Sequence, residues 1–187
     1  MKRSGVINYG SGKSVVEYPW YATVGPDDGL NQGDFIFLCP ILEPIHEMSK
    51  DRMRANYCEY DVVIMSQSCD LVNKKLDLVL VCPFWSLKDI ESQNPWFQSS
   101  KNKEKLRRGD QPNYHLLNRS TLEDFELDFL IVDFRNVYGV PYPYLVNYIQ
   151  KTDRRLRLLP PYKEHLSQSF ARFFMHIGLP VDIEQFT

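Results

Sequence analysis

Two apolar runs, Asp61-Val62-Val63-Ile64-Met65 and Leu78-Val79-Leu80-Val81-Cys82-Pro83-Phe84, bracket a short polar cluster, Ser66-Gln67-Ser68-Cys69-Asp70. Short runs rich in β-branched and aromatic residues and bounded by turn residues predict strands. The same pattern predicts a strand buried on both faces over residues 35–39, which Pro40 and Pro44 end, and further strands over residues 114–117, 129–134 and 154–159. Residues 18–24 read as an edge strand, because Pro19 argues against a central position. Asn73-Lys74-Lys75 supplies a hairpin-like turn, Gly25-Pro26-Asp27-Asp28-Gly29 another. Residues 46–60 read as a loop or short helix, and the segment after the turn at Val137 is left unassigned.

At the C-terminal end the period changes. Tyr162, Leu166, Phe170, Phe173, Phe174 and Ile177 recur at spacings of three and four and form one apolar stripe. Pro161 suits a first helical turn, and Gly178 followed by Pro180 is a stop signal. The expectation is an amphipathic helix over residues 161–178, docked on a sheet. The chain then reads as one domain over residues 1–187: a Gly-, Ser- and Lys-rich arm (1–17), strands, an exposed and mobile insertion (86–119), more strands and the helix. The fold class is mainly β, of the α+β kind.

Composition narrows the function classes. At 187 residues, 43% hydrophobic and 25% charged, the chain has the means to bury a core and is not a disordered segment. The formal net charge of -2 gives no global attraction to nucleic acid or anionic membranes, so any such contact needs a local basic patch. No run approaches the length of a bilayer span, and the N-terminal residues lack a secretory apolar region, so a cytoplasmic protein without membrane contact is expected. Cys39, Cys58, Cys69 and Cys82 form no Cys-x-x-Cys pair, and no phosphate loop, His-Glu-x-x-His helix or calcium loop occurs; neither a metal nor a cofactor is expected.

Reactive side chains crowd together only in the polar cluster. Ser68 or Cys69 is a candidate nucleophile, with Asp70 orienting one of His46, His115, His165 or His176. The alternative is that Ser and Asp bond the backbone of a sharp turn while the cysteine packs inward. Two basic stretches are candidates for nucleic-acid binding. Lys101, Lys103, Lys105, Arg107 and Arg108 surround a single Glu104, and the run can track phosphates or simply be a solvated loop. Arg154, Arg155 and Arg157, beside Tyr148 and Tyr162, combine guanidinium groups with rings suited to single-stranded bases.

The order Gly33-Asp34-Phe35-Ile36-Phe37, Asp61-Val62-Val63-Ile64-Met65-Ser66-Gln67-Ser68, short turn, Leu78-Val79-Leu80-Val81-Cys82-Pro83-Phe84 resembles the opening half of the MazF/PemK toxin-like barrels, over roughly residues 30–85. The likeness is to a bacterial subfamily carrying Ser-Gln-Ser-Cys-Asp-Leu. It implies an SH3-like MazF/PemK-type β-barrel, homodimerisation, and metal-independent cleavage of single-stranded RNA. It transfers the polar position after the second strand to Ser66, Gln67 and Ser68. The family's arginine does not transfer: Tyr60-Asp61 stands in its place, and a carboxylate there repels phosphate. Arg52 and Arg54, in the preceding loop, are the substitutes. Two readings follow. One is a MazF-like binding or regulatory module acting with a protein partner in a bacterial stress or phage-defence system. The other is an endoribonuclease toxin using Ser66, Ser68 and Asp70 with Arg52 or Arg54.

Overall fold

The computed structural model describes residues 18–44 and 55–175. Along the chain these form β1 (Tyr21–Val24), β2 (Phe35–Pro44), β3 (Ala55–Ile64), α1 (Ser68–Val72), β4 (Leu78–Ser86), α2 (Leu87–Gln93), a 3-10 turn (Pro95–Gln98) and α3 (Ser100–Arg108). There follow β5 (Tyr114–Leu117), β6 (Ser120–Leu122), β7 (Phe125–Leu127), β8 (Leu130–Asp133), β9 (Tyr138–Pro141), α4 (Tyr142–Ile149), β10 (Arg155–Leu158) and α5 (Tyr162–Phe174). The class is mixed α+β.

The main sheet runs β2-β3-β4-β8-β5, with β9 also paired to β4; β1-β10 and β6-β7 are separate antiparallel ribbons. Between Val81↔Tyr138 and Phe84↔Val132, β4 advances three residues while its partner chain advances six. β8 and β9 are therefore one broken strand, with Phe134-Arg135-Asn136-Val137 looped out between them. The buried Asp133 carboxylate holds that loop, accepting from Arg135 N–H (2.9 Å), the Arg135 guanidinium (2.7 Å) and Asn136 (3.1 Å).

The path of strands is open among the described residues, in contrast to the closed barrel expected. It wraps without closing. The β1-β10 ribbon leans on the start of β2 through one bridge, Asp34↔Arg157, and through Leu158 N–H donating to the Gly33 carbonyl at 2.9 Å. On the far side, the gap is spanned by the Tyr21 hydroxyl, donating to the Asn118 carbonyl at 2.6 Å, and by the ion pair of Arg154 with Asp124. Gly33 is required at the join. Its φ is +83°, and a Cβ there would sit 3.0 Å from the Leu158 Cβ.

Strand alternation explains the unbroken apolar runs, since both faces of the central strands are covered. Val63, Met65, Cys82 and Phe84 point into a first core with Tyr21, Phe35, Val132, Phe134, Leu156, Leu158 and Leu166 of α5. Val62, Ile64, Val79 and Val81 point into a second, closed by Leu71 of α1 and by Leu145 and Ile149 of α4. The insertion is not a mobile loop: it folds as α2, the 3-10 turn and α3. Phe97 and Leu106 pack there on Tyr114 and Ile131 in a third cluster, because Leu87, Ile90, Trp96 and Phe97 give the segment its own apolar face.

β2 does not stop at Pro40 as expected. It lies at the sheet edge, where a missing N–H removes no ladder bond, and it continues to Pro44 beside β3. Residues 55–60, expected as loop or short helix, form the returning strand. Between Ile36↔Val62 and Cys39↔Tyr60, β2 gains one residue, a bulge that returns Cys39 and Ile41 to the face of Ile36. Leu38 is left outside at φ 52°, with its N–H donating to the Asp61 carboxylate at 2.8 Å. The Asn73-Lys74-Lys75 turn follows a helical turn, α1, rather than joining two strands directly. In α5, Tyr162, Leu166, Phe170 and Phe173 pack as expected, whereas Phe174 is exposed; Ile177 and Gly178 lie outside the described residues.

One buried ionic cluster ties the ribbon to the sheet. The fully buried Asp34 carboxylate accepts from Arg155 Nε (3.0 Å), from Arg157 Nε (2.5 Å) and Nη2 (2.9 Å), and from Asn31 N–H (3.0 Å). Arg155 also donates to the carbonyls of Gly25 (2.7 Å), Asp28 and Gly29 (2.9 Å). Removing one partner leaves a buried charge uncompensated. Asp34→Ala is therefore expected to lower the unfolding free energy by about 3–5 kcal/mol. In a urea titration Arg154→Ala, which breaks only the exposed pair with Asp124, should leave the midpoint nearly unchanged, whereas Asp34→Ala should lower it clearly.

Candidate functional site

The polar cluster sits where β3 ends and α1 begins, and its hydroxyls are engaged by the fold. Ser66 is buried, and its oxygen accepts from Leu80 N–H at 2.8 Å while Met65 N–H donates to the Leu80 carbonyl at 2.8 Å. Ser68 donates to the Asn31 side-chain carbonyl and accepts from Gln32 N–H at 3.3 Å. The Gln32 amide in turn donates to the Met65 carbonyl (2.8 Å) and reaches Ser167 of α5 at 3.5 Å. Loop 31–32, the β3 end, α1 and α5 are thus laced together.

Cys69 is exposed rather than packed inward, 3.6 Å from the Gln67 side-chain oxygen. Among the described residues no histidine or cation pairs with Asp70. His46 and His176, like Arg52 and Arg54, lie outside the described residues. His115, on β5, stacks on Phe134 (6.2 Å between centroids), and His165 is exposed on α5. Neither is hydrogen-bonded to the cluster, so among the described residues no nucleophile–base pair assembles around Ser68 or Cys69. Asp61 serves the β2 bulge by accepting from Leu38.

The basic candidates separate. Arg155 is buried and Arg157 largely so, both engaged with Asp34 and the Gly29 carbonyl, and Arg154 pairs with Asp124; this group offers no free patch of three guanidinium groups. Arg155 is not exposed because both faces of β10 are covered: Leu156 and Leu158 face the first core, and on the opposite side Arg155 and Arg157 meet Asp34 and the carbonyls of the 25–29 turn. On α3, Arg107 grips Glu104 through two 2.7 Å bonds and Arg108 through a third, holding its carboxyl down at about 2. Lys103 pairs with Glu91 at 2.5 Å. Lys101 and Lys105 remain exposed.

Three features carry no local sequence signal. Asn31 and Gln32 reach Ser68 from 36 or more positions away. Glu43 accepts from both Tyr60 and Tyr138 at 3.0 Å, fastening the β2-β3 arm to β9. An open cleft of about 490 Å³ lies at the unclosed seam between β1 and the β6-β7 hairpin, lined by Glu123, Asp124, Asp153 and Arg154. Among the described residues no group of three or more His, Cys, Asp or Glu side chains gathers as a metal site, and no helix is long and apolar enough to cross a membrane. Compared with protein families, curated proteins and solved structures, the chain matches none.

Burial, and then the charge of His165, pull the His115 imidazole down to about 4. Its folded value lies below its unfolded value near 6.5, so the folded state binds fewer protons. Stability from this group is full above the unfolded value and is lost as pH falls toward 4. Urea midpoints of the wild type are expected to fall more between pH 7 and pH 4.5 than those of His115→Gln; parallel profiles would show that His115 does not titrate in this way.

Proposed function

We propose that this chain is a binding or regulatory module that acts with a protein partner in the cytoplasm, in a bacterial stress or phage-defence setting, and that it is a MazF/PemK-related protein whose barrel has opened. The observation that carries the reading is the engagement of the two candidate hydroxyls: Ser66 accepts from Leu80 N–H, and Ser68 clasps Asn31 and Gln32. A hydroxyl held in this way has no adjacent base among the described residues to activate it. Kinship with the MazF/PemK barrels is supported by the antiparallel β2-β3-β4 order that opens after Gly33-Asp34 and by the ribbon leaning on the start of β2.

The test is incubation of the full chain with single-stranded RNA in the presence of a chelator. The expected outcome is no cyclic-phosphate ends above a no-protein control. Cleavage that yields such ends and is lost in Ser68→Ala and Asp70→Ala would replace the binding reading with the endoribonuclease one.

A further inference from the structure

The outer part of the β2-β3 arm presents a surface that no other element covers among the described residues. Leu42 faces Tyr57 and Pro40 faces Glu59 across the pair. Alternation sets Tyr57, Glu59 and Asp61 on one side of β3. Leu38, Leu42 and Tyr57 are 60%, 71% and 63% exposed, large values for side chains of this size. The surface continues onto α4. There the half-exposed Tyr144 stacks on Tyr148 at 6.3 Å, and the Tyr148 hydroxyl donates to the Phe37 and Leu38 carbonyls at 2.9 and 3.2 Å. Adjoining exposed apolar groups of this kind mark interaction surfaces rather than the scattered residues every surface carries.

Among the described residues the charge on this face has one sign. Glu59 accepts the Tyr57 hydroxyl at 2.9 Å and Asp61 accepts Leu38 N–H at 2.8 Å. Neither carboxylate has a cationic partner among the described residues. Their influence reaches the rings. The Tyr57 hydroxyl is pushed up first by its hydrogen bond to Glu59, and those of Tyr144 and Tyr148 by burial, then by neighbouring negative groups that include Glu59 and, for Tyr148, Asp61. On α3, by contrast, the carboxylate of Glu104 is already matched by two arginines. Ring faces beside uncompensated carboxylates attract guanidinium and ammonium groups through cation–π contact and charge-assisted hydrogen bonds. The same charges repel a phosphate backbone.

We propose that the arm face around Tyr57, Glu59, Asp61 and Tyr144 docks an arginine- or lysine-bearing segment of a partner protein. The proposal rests on the binding-module reading above and specifies the chemistry of its partner. Complementarity of this kind sets the choice of partner and speeds its capture, and it weakens as salt screens the charges.

Fluorescence anisotropy of a labelled oligo-arginine peptide with the full chain tests it. Glu59→Gln and Asp61→Asn keep an acceptor for Tyr57 and for Leu38, so the pair of changes removes charge while leaving the arm's hydrogen bonds in place. Binding that weakens with added salt is expected. It should fall by about tenfold in the Glu59→Gln, Asp61→Asn double variant and in Tyr57→Ala, the order of a lost ring-and-carboxylate contact with a guanidinium. Glu123→Gln with Asp153→Asn removes the same charge at the seam cleft and should leave the affinity unchanged. Absent binding, equal weakening by the cleft variant, or preference for a single-stranded RNA would overturn the proposal. A host partner captured equally well by wild type and the Glu59→Gln, Asp61→Asn variant would also overturn it while leaving the binding-module reading intact. Ser68-dependent RNA cleavage would instead remove that reading.

Discussion

Asp34 carries a full negative charge in the interior, and the arrangement of the molecule follows from how that charge is compensated. Desolvating a carboxylate costs several kcal/mol, about as much as good ion-pair geometry returns, so the cluster's main effect is on which arrangement forms rather than on net stability. Two guanidinium groups from β10 and a backbone N–H converge on Asp34, and Arg155 extends the network to the carbonyls of the 25–29 turn. The register of the β1-β10 ribbon, the path of the turn and the start of β2 are fixed together. Gly33 lets the chains approach closely enough for this, since any side chain there would meet Leu158.

From that join the sheet curves around the first core, and its other face is sealed by α4 and α1. Covering both faces makes the central strands apolar throughout, and it leaves polar side chains few places to go except the strand ends. Ser66, Ser68, Gln32 and Asn31 occupy one such end and satisfy one another and the backbone. A network saturated in this way makes a good fastening and a poor reaction centre, because activating a hydroxyl needs a free base beside it. Apart from the exposed Cys69 thiol, the exposed chemistry among the described residues lies elsewhere: tyrosines and carboxylates along the arm and α4, and partly self-neutralised cations on α3.

Much of the architecture was legible along the chain. The strands near residues 35, 62, 80, 115, 131 and 156 and the helix from Tyr162 rest on local periodicity, which sequence shows directly. The failures were at places where distant residues override local preference. Pro40 should end a strand, yet an edge position makes its missing N–H harmless. The lysine-rich segment looked mobile because its charge was obvious and its anchors, Phe97 and Leu106, were not. Barrel closure depends on strands from opposite ends of the chain meeting, and no short motif encodes that.

The candidate site divides along the same line. Apolar patterning along the chain is enough to mark Ser66-Gln67-Ser68-Cys69-Asp70 as a polar break between two buried strands, because it shows where the interior stops. What the hydroxyls of Ser66 and Ser68 do follows from packing between distant segments, which brings Asn31 and Gln32 to Ser68 and Leu80 to Ser66. That packing likewise turned Arg155 from a candidate surface cation into the partner of a buried carboxylate 121 positions away. A residue's type fixes the bonds it is able to make, whereas its neighbours in space fix which of them it makes, and those neighbours are chosen by the packing of the whole chain.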